Sequence, residues 1–289
     1  METYVWLAIG CAISFGIGNS MQKYGMAVTF PQISLSRFFK ELHRVVHALL
    51  KNWVWLVGVG FAAAGFIFQG KSIDAPHSKR SVIMPLLNLS TIITSLIGVF
   101  LFKEAVCATE WAGIAILTLG AVLVCAFDKG GGSSAISKNL LLACYGIGAV
   151  MMVLTTIAFT AARSWKGAEI LLAIGSGFGF GMGAVALKML DYDLKGAIGG
   201  FNVTDPRFLF TLLTSPNGWM LITFNLAGFA LFQLSFAHGR ISLIGPFSQV
   251  FSMIIPVAAG FMAFGESLVT WQWIGMATVC LGTILTGGI

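Results

Sequence analysis

Apolar residues in this chain come in long unbroken runs, not in the alternation of a half-buried strand or the single stripe of a surface helix. Nine runs, at about residues 4–28, 52–70, 81–102, 107–127, 139–161, 168–190, 218–237, 242–264 and 268–287, approach the ~20 residues that a helix needs to cross a ~30 Å hydrocarbon layer. Lipid offers no partner to a backbone N–H or C=O, so runs of this length must be helical. The pattern predicts an all-α integral membrane protein with nine transmembrane helices. The first run starts at Tyr4 without a basic stretch before it and continues through Gly16 and Gly18 into Asn19 and Lys23, with no cleavage site, which predicts a retained helix and not a signal peptide. Residues 34–50 follow another pattern. Leu35, Phe38, Phe39, Leu42, Val45, Val46, Leu49 and Leu50 share a face opposite Arg37, Lys40, Glu41, Arg44 and Lys51, the signature of an amphipathic helix lying in the membrane interface. A less basic counterpart spans Asp205 to Thr214 and opens on Pro206, a residue suited to a first helical turn.

The runs repeat. Leu7-Ala8-Ile9-Gly10, Gly16, Gly18 and Lys23 recur 165 residues later as Leu172-Ala173-Ile174-Gly175, Gly181, Gly183 and Lys188. Ser81, Pro85, Asn88 and Thr91 match Ser242, Pro246, Gln249 and Ser252; Glu104, Trp111, Gly113 and Gly120 match Glu266, Trp273, Gly275 and Gly282; Gln69 matches Gln233. The expected organisation is a first four-helix unit at 1–127, a glycine-rich loop (Gly130 to Ser134) and linking helix at 128–161, and a second unit at 162–289. Five spans lie between the two starts, so the second unit enters from the opposite side. Inverted repeats with a site near the midplane are a recurring plan of secondary transporters.

Polar groups inside the runs are the candidate chemistry, because each is costly in lipid. Gly16, Asn19, Ser20 and Lys23 share one face of the first helix, with Lys23 about 10 Å from the midplane at ~1.5 Å per residue, within reach of a cavity or of the headgroups. Lys188 holds the matched position. Pro85-x-x-Asn88-x-x-Thr91 and Pro246-x-x-Gln249-x-x-Ser252 set a proline, an amide and a hydroxyl on one face in each unit, and proline frees a carbonyl one turn earlier. Such polar faces line cavities or glue helices together. Asn19, Lys23, Gln69, Asn88, Thr91, Lys188, Gln233, Gln249 and Ser252 are the expected substrate-binding residues. Glu104 and Glu266 end spans three and eight on the same sides as Lys23 and Lys188, which suggests Lys23–Glu104 and Lys188–Glu266 gating latches.

A hydrophobic share of 57%, a charged share of 10% and a mean hydropathy of +0.89 leave no soluble core large enough to hide the apolar surface. The net charge of +6 is scattered over membrane-flanking loops, which points to lipid headgroups and away from nucleic acid. Cys11, Cys107, Cys125, Cys144 and Cys280 are odd in number and lack C-x-x-C spacing, so neither a disulfide framework nor a metal site is expected. No hydrolase or phosphate-binding motif is present, and no enzymatic activity or cofactor is expected. Every Asp and Glu falls in a loop or near a span end, whereas hard cations seek carboxylate oxygens. This composition favours a neutral, zwitterionic or anionic solute. Lys and Arg outside the spans divide seven against eight between the two sides, so the positive-inside rule leaves orientation open.

The two-unit layout, the P-x-x-[NQ] segments, and Phe102-Lys103-Glu104 and Phe264-Gly265-Glu266, each followed by Trp-x-Gly, resemble EamA-type members of the drug/metabolite transporter superfamily. The resemblance implies a central cavity bounded by helices of both repeats and export or exchange of a small metabolite, in a multi-pass protein of the cell (inner) membrane that could form homo-oligomers. Typical relatives have ten spans; this chain ends at Ile289, after the counterpart of span four. Gly18-Asn19-Ser20, Gln22-Lys23 and Gly25 resemble the first helix of nine-span NIPA-type magnesium transporters, which makes a cation transporter the alternative. A scaffold or lipid-handling membrane protein is the non-transport alternative.

Overall fold

A computed structural model describes residues 3–29, 42–74, 89–104, 106–127, 138–161, 168–236, 239–263 and 269–286. Within them the chain forms α1 (Thr3–Thr29), α2 (Leu42–Lys51), α3 (Trp53–Asp74), α4 (Leu89–Phe102), α5 (Ala108–Ala126), α6 (Lys138–Ala161), α7 (Ala168–Ile198), α8 (Pro206–Thr214), α9 (Pro216–Phe236), α10 (Ile241–Ala263) and α11 (Thr270–Thr286). Six of these, α1, α3, α6, α7, α9 and α10, are long and apolar enough by themselves to cross a membrane. The remaining expected spans are represented by α4, α5 and α11. The start of span three, including Ser81, Pro85 and Asn88, lies outside the described residues, as do Glu266, the 130–134 loop and the first part of the 34–50 segment.

The expected ends hold within a few residues except at α7, which runs eight residues past 190. Asp191, Tyr192, Asp193 and Lys195 contain no helix breaker, and Asp191 pairs with Lys195 at 2.6 Å one turn on. The helix stops only at Gly199 and Gly200, whose φ angles of +84° and +147° suit glycine. Asp193 on the extension accepts hydrogen bonds from Ser215 Oγ (2.5 Å) and Asn217 Nδ2 (3.0 Å), tying α7 to the start of α9.

Glycine sets the close helix crossings, because association in lipid relies on packing and not on expulsion of water. A Cβ on Gly18 of α1 would lie 2.8 Å from the carbonyl oxygen of Gly58 on α3; one on Gly179 of α7 would lie 2.6 Å from the Cα of Gly228 on α9. Gly120 of α5 meets Gly275 and Val279 of α11 in the same way. Glycines matched in sequence are matched in packing: Gly16 faces Ile93 of α4 where Gly181 faces Ser252 and Ile255 of α10, and Gly18 faces α3 where Gly183 faces Asn225 of α9. The Ser252 carbonyl beside Gly181 lacks its helical donor because residue 256 is proline.

A second matched pair appears at helix starts. Glu110 accepts the Cys107 N–H (3.0 Å) ahead of α5, and Gln272 accepts the Val269 N–H (2.9 Å) ahead of α11, each acting from the third helical position as half a capping box. Glu169, in the first turn of α7, sits beside Gly239, which Lys23 near the end of α1 also reaches. The end of α1 and the start of α7 thus meet at one turn. α7 is the central helix: 67% of its span window is buried against 28% for α6 and 22% for α3.

α8 starts on Asp205, whose carboxylate accepts the Arg207 backbone N–H at 2.9 Å and pairs with the Arg207 guanidinium at 2.8 Å. Those bonds hold the Asp205 carboxyl below its ordinary range, the side-chain bond contributing most. Because the folded-state value is depressed, the cap is intact above the usual aspartate range and is lost as pH falls through the lowered value. Asp205→Ala should speed amide hydrogen exchange across α8 at neutral pH, and the unsubstituted chain should match the variant's rate only in strongly acidic buffer. Gly18→Leu and Gly179→Leu should each lower the thermal midpoint in detergent and broaden the size-exclusion peak. Gly60→Ala and Gly146→Ala, where an added Cβ meets nothing within 4 Å, should leave both unchanged.

Candidate functional site

The two halves meet through polar side chains where α1, α3 and α9 converge. Gln22 on α1 donates through Nε2 to the carbonyl of Gly58 on α3 at 3.1 Å, and its Oε1 accepts from Nε2 of Gln233 on α9. Gln233 Oε1 in turn accepts from the indole N–H of Trp55 at 2.9 Å. All three side chains are buried, with Gln22 only 1% exposed. A glutamine can enter lipid at this depth because its partners replace the water it leaves; removing one partner leaves the next unsatisfied, at a cost of about 1–3 kcal/mol.

One residue further along α1, Lys23 turns inward and is 8% exposed, not out to the headgroups. Its Nζ donates to the carbonyl of Phe236 at 2.8 Å and to that of Gly239, both at the C-terminal end of α9. Glu104 reaches the other side of the same turn: its two carboxylate oxygens accept the N–H groups of Ile241 (2.9 Å) and Ser242 (3.0 Å), the first amides of α10. Lys23 and Glu104, expected to face each other, each bond to backbone groups of one turn. Lys23 and Glu104 hold the ends of two successive helices, the cation at a C-terminus and the anion at an N-terminus, as the helix dipoles favour. Hydrogen bonds to charged groups contribute about 1.5–3 kcal/mol each, so this clamp outweighs an exposed ion pair worth ~0–1 kcal/mol.

Local backbone aims Glu104. The Glu104 N–H closes back on the Gly98 carbonyl at 3.1 Å, and the intervening Lys103 has φ +54°, a left-handed turn that ends α4 with lysine in the place glycine usually takes. Arg240 within the turn pairs with Glu110 at 3.0 Å, and Glu169 approaches Gly239 with its Oε2 buried and unpartnered. The turn is thus surrounded by Lys23, Glu104, Glu110, Glu169 and Arg240.

The other expected residues are not drawn into this junction. Gln69 is half-buried toward the opposite end of α3, where its carbonyl accepts Ser72 Oγ at 2.9 Å. Thr91 is buried on α4 beside Thr94, which bonds the Ser90 and Thr91 carbonyls. Ser252 is turned back onto the Gln249 carbonyl at 2.7 Å. Asn19 and Lys188 are half-buried on α1 and α7. Between α7 and α10, Ser176 and Ser248 share a hydrogen bond of 2.8 Å at full burial, and Ser95 and Ser242 have buried hydroxyls without a partner. Thr91, Thr94, Ser95, Ser176 and Ser248 give α4, α7 and α10 a buried band of hydroxyls.

Gln22, Trp55, Glu110, Glu169 and Arg240 were not among the expected site residues. Gln22 stands beside Lys23 in the sequence and that adjacency was a usable signal, but its partner Gln233 lies 211 residues away. Trp55 looks like any interfacial aromatic until its indole N–H is seen to have an acceptor.

Comparison with known proteins places this fold among transporters. The chain is 24% identical over 301 residues, 97% of its own length and 80% of the relative's, to a probable magnesium transporter, NIPA9, of Arabidopsis thaliana. It is 27% identical over 125 residues, 41% of this chain and 92% of the relative, to a probable 4-amino-4-deoxy-L-arabinose-phosphoundecaprenol flippase subunit, ArnE, of Pseudomonas savastanoi pv. phaseolicola (strain 1448A / Race 6). The corresponding subunit of Proteus mirabilis (strain HI4320) is 43% identical over 75 residues, 26% of this chain and 65% of the relative. No family model matches the chain, and no solved structure does. With the helical fold, these relatives bear out the resemblance read from the sequence: the chain is a multi-pass membrane protein of transporter and flippase kinship, similar to EamA-type members of the drug/metabolite transporter superfamily and to their NIPA-type relatives.

Proposed function

We propose that this chain is a secondary transporter or facilitator that moves a small neutral, zwitterionic or anionic metabolite by alternating access, as two inverted units at 1–127 and 162–289 joined by α6, in the cell (inner) membrane. One observation carries the reading. Where α1 meets the end of α9, the contact between the two halves is polar and deeply buried, formed by Gln22, Lys23 and Glu104 of the first unit against Gln233, the Phe236 and Gly239 carbonyls and the first amides of α10 in the second, beside the close glycine crossing of α5 on α11. An inert scaffold would gain more from an apolar seam, since each buried amide or charge must find its own partner. A contact made of exchangeable hydrogen bonds to helix ends can be released and remade as the halves rock.

The chemistry of the lining supports the solute class. Hydroxyls on α4, α7 and α10, with Asn19 and Gln249 as further candidates, suit a solute that gives and takes hydrogen bonds. Lys23 and Lys188 supply cations for a carboxylate or phosphate, with Gln69, Asn88, Thr91, Gln233 and Ser252 as possible binding residues and Glu104 and Glu266 as gating residues. The likeness to the flippase subunits adds that a phosphate-bearing amphiphile falls within the anionic class.

The likeness to NIPA9 over nearly the whole chain favours a second reading, magnesium, with Glu169 and Glu104 beside one turn as the oxygen donors. Magnesium asks for near-octahedral oxygen ligands. Among the described residues no group of three or more His, Cys, Asp or Glu converges.

Purified protein in liposomes should show saturable uptake of a metabolite from a panel of amino acids, sugars and organic phosphates. Lys23→Met and Gln233→Leu should each abolish that uptake while the protein still elutes as a folded peak. Uptake of magnesium instead, with magnesium-dependent thermal stabilisation lost in Glu169→Gln, would replace the first reading by the second. No flux of either kind would leave the scaffold or lipid-handling reading.

A further inference from the structure

The clamp around the 236–242 turn joins the C-terminal end of α1 to that of α9. The matching place on the opposite side of the protein is where the C-terminal end of α7 approaches that of α3. Aromatic packing is prominent there. Gly199 and Gly200 end α7 in glycine-type conformations, and Phe201 follows at 7% exposure although it belongs to a connection. Its ring lies over Gly70 of α3 so closely that a Cβ at residue 70 would overlap it. Phe66, one turn earlier on α3, meets the ring edge-on at 6.4 Å, and Phe208 of α8 meets it at 5.2 Å and 76°. The segment after Phe201 is stiff: Asn202 Oδ1 accepts the Thr204 N–H (3.1 Å) and hydroxyl (2.7 Å), and Asp205 then caps α8.

We propose that Phe201 is a gating residue of the transport cycle, an aromatic knob seated in the Gly70 notch that closes the path on the side opposite Lys23. The idea rests on the transporter reading. Four features meet at this residue: a glycine pair that can pivot, a buried aromatic ring, a notch on the other half that only glycine provides, and an interfacial helix beneath it. α8 exposes Leu209, Phe210 and Leu213 at 58%, 69% and 44%, an apolar face suited to the headgroup boundary, while its Phe208 supports the knob. Movement of α3 away from α7 must withdraw Gly70 from the ring, and that opens one end without touching the polar clamp at the other. In this structure both contacts are in place: hydrogen bonds to helix termini at one end, aromatic packing of Phe201 on Gly70 at the other.

A native reporter lies beneath the knob. Cys11 on α1 is fully buried and lies against the backbone of Gln69, the residue before Gly70. With Cys107, Cys125, Cys144 and Cys280 replaced by Ala, Cys11 would be labelled with a charged methanethiosulfonate reagent in lipid nanodiscs, where both faces are accessible. Phe201→Ala and, independently, Gly70→Ala should each speed labelling several-fold while the protein still elutes as a folded peak, whereas Phe201→Leu should keep it slow and Lys23→Met, at the other end, should not speed it. Labelling as slow in Phe201→Ala and Gly70→Ala as in the parent would overturn the assignment, as would equal acceleration by Lys23→Met. The readout needs no substrate, so fast labelling without solute flux would count against the transporter reading and leave the knob standing.

Discussion

The constraint that organises this structure is the fate of backbone polar groups where one helix ends and the next begins. The last carbonyls of α9 and the first amides of α10 have no helical partners, and between them Gly239 is buried while Arg240 reaches solvent. Lys23 and Glu104 supply the missing partners from the other half of the chain. The fold and the cross-half contact are thus one interaction: α9 and α10 end properly only when α1 and α4 are docked. A hydrophobic seam of the same area could be tight, but it would not answer to the position of two helix ends.

Glycine does the complementary work along the helix shafts. At Gly18–Gly58 and Gly179–Gly228 the backbones nearly touch, giving each half one rigid antiparallel pair. Polar and aromatic contacts join these pairs across the halves, alongside the close crossing of α5 on α11 at Gly120. Buried hydroxyls of α4 and α7 are turned back on their own helices, Thr94 onto the Ser90 carbonyl and Ser176 onto that of Ala173.

The asymmetry of the two ends bears on function. Sequence matching makes the units look equivalent, yet the first contributes the buried Lys23 while the second contributes the Phe201 ring after a glycine pair; Gln22 and Gln233 pair one from each.

Much of the fold was legible in the sequence because lipid imposes a length on every apolar run, and the repeat offset ordered those runs into units. The extension of α7 was not, since polar residues that leave the membrane can stay helical until a breaker arrives, here Gly199. Matched Glu110 and Gln272 were hidden because capping depends on a backbone N–H three residues away and on nothing apolar. Lys23 and Gln233 could be named from their cost in lipid, and Glu104 from its place at a span end on the side of Lys23. Their partners could not, because a helix-end carbonyl carries no sequence mark and Gln22 reaches Gln233 across most of the chain. Sequence alone thus determined which segments enter the membrane, through hydrophobic length, and which of their residues need a partner, through burial cost. Only the tertiary structure decided what those partners are, because a hydrogen bond is satisfied by geometry, and geometry is set where the halves meet.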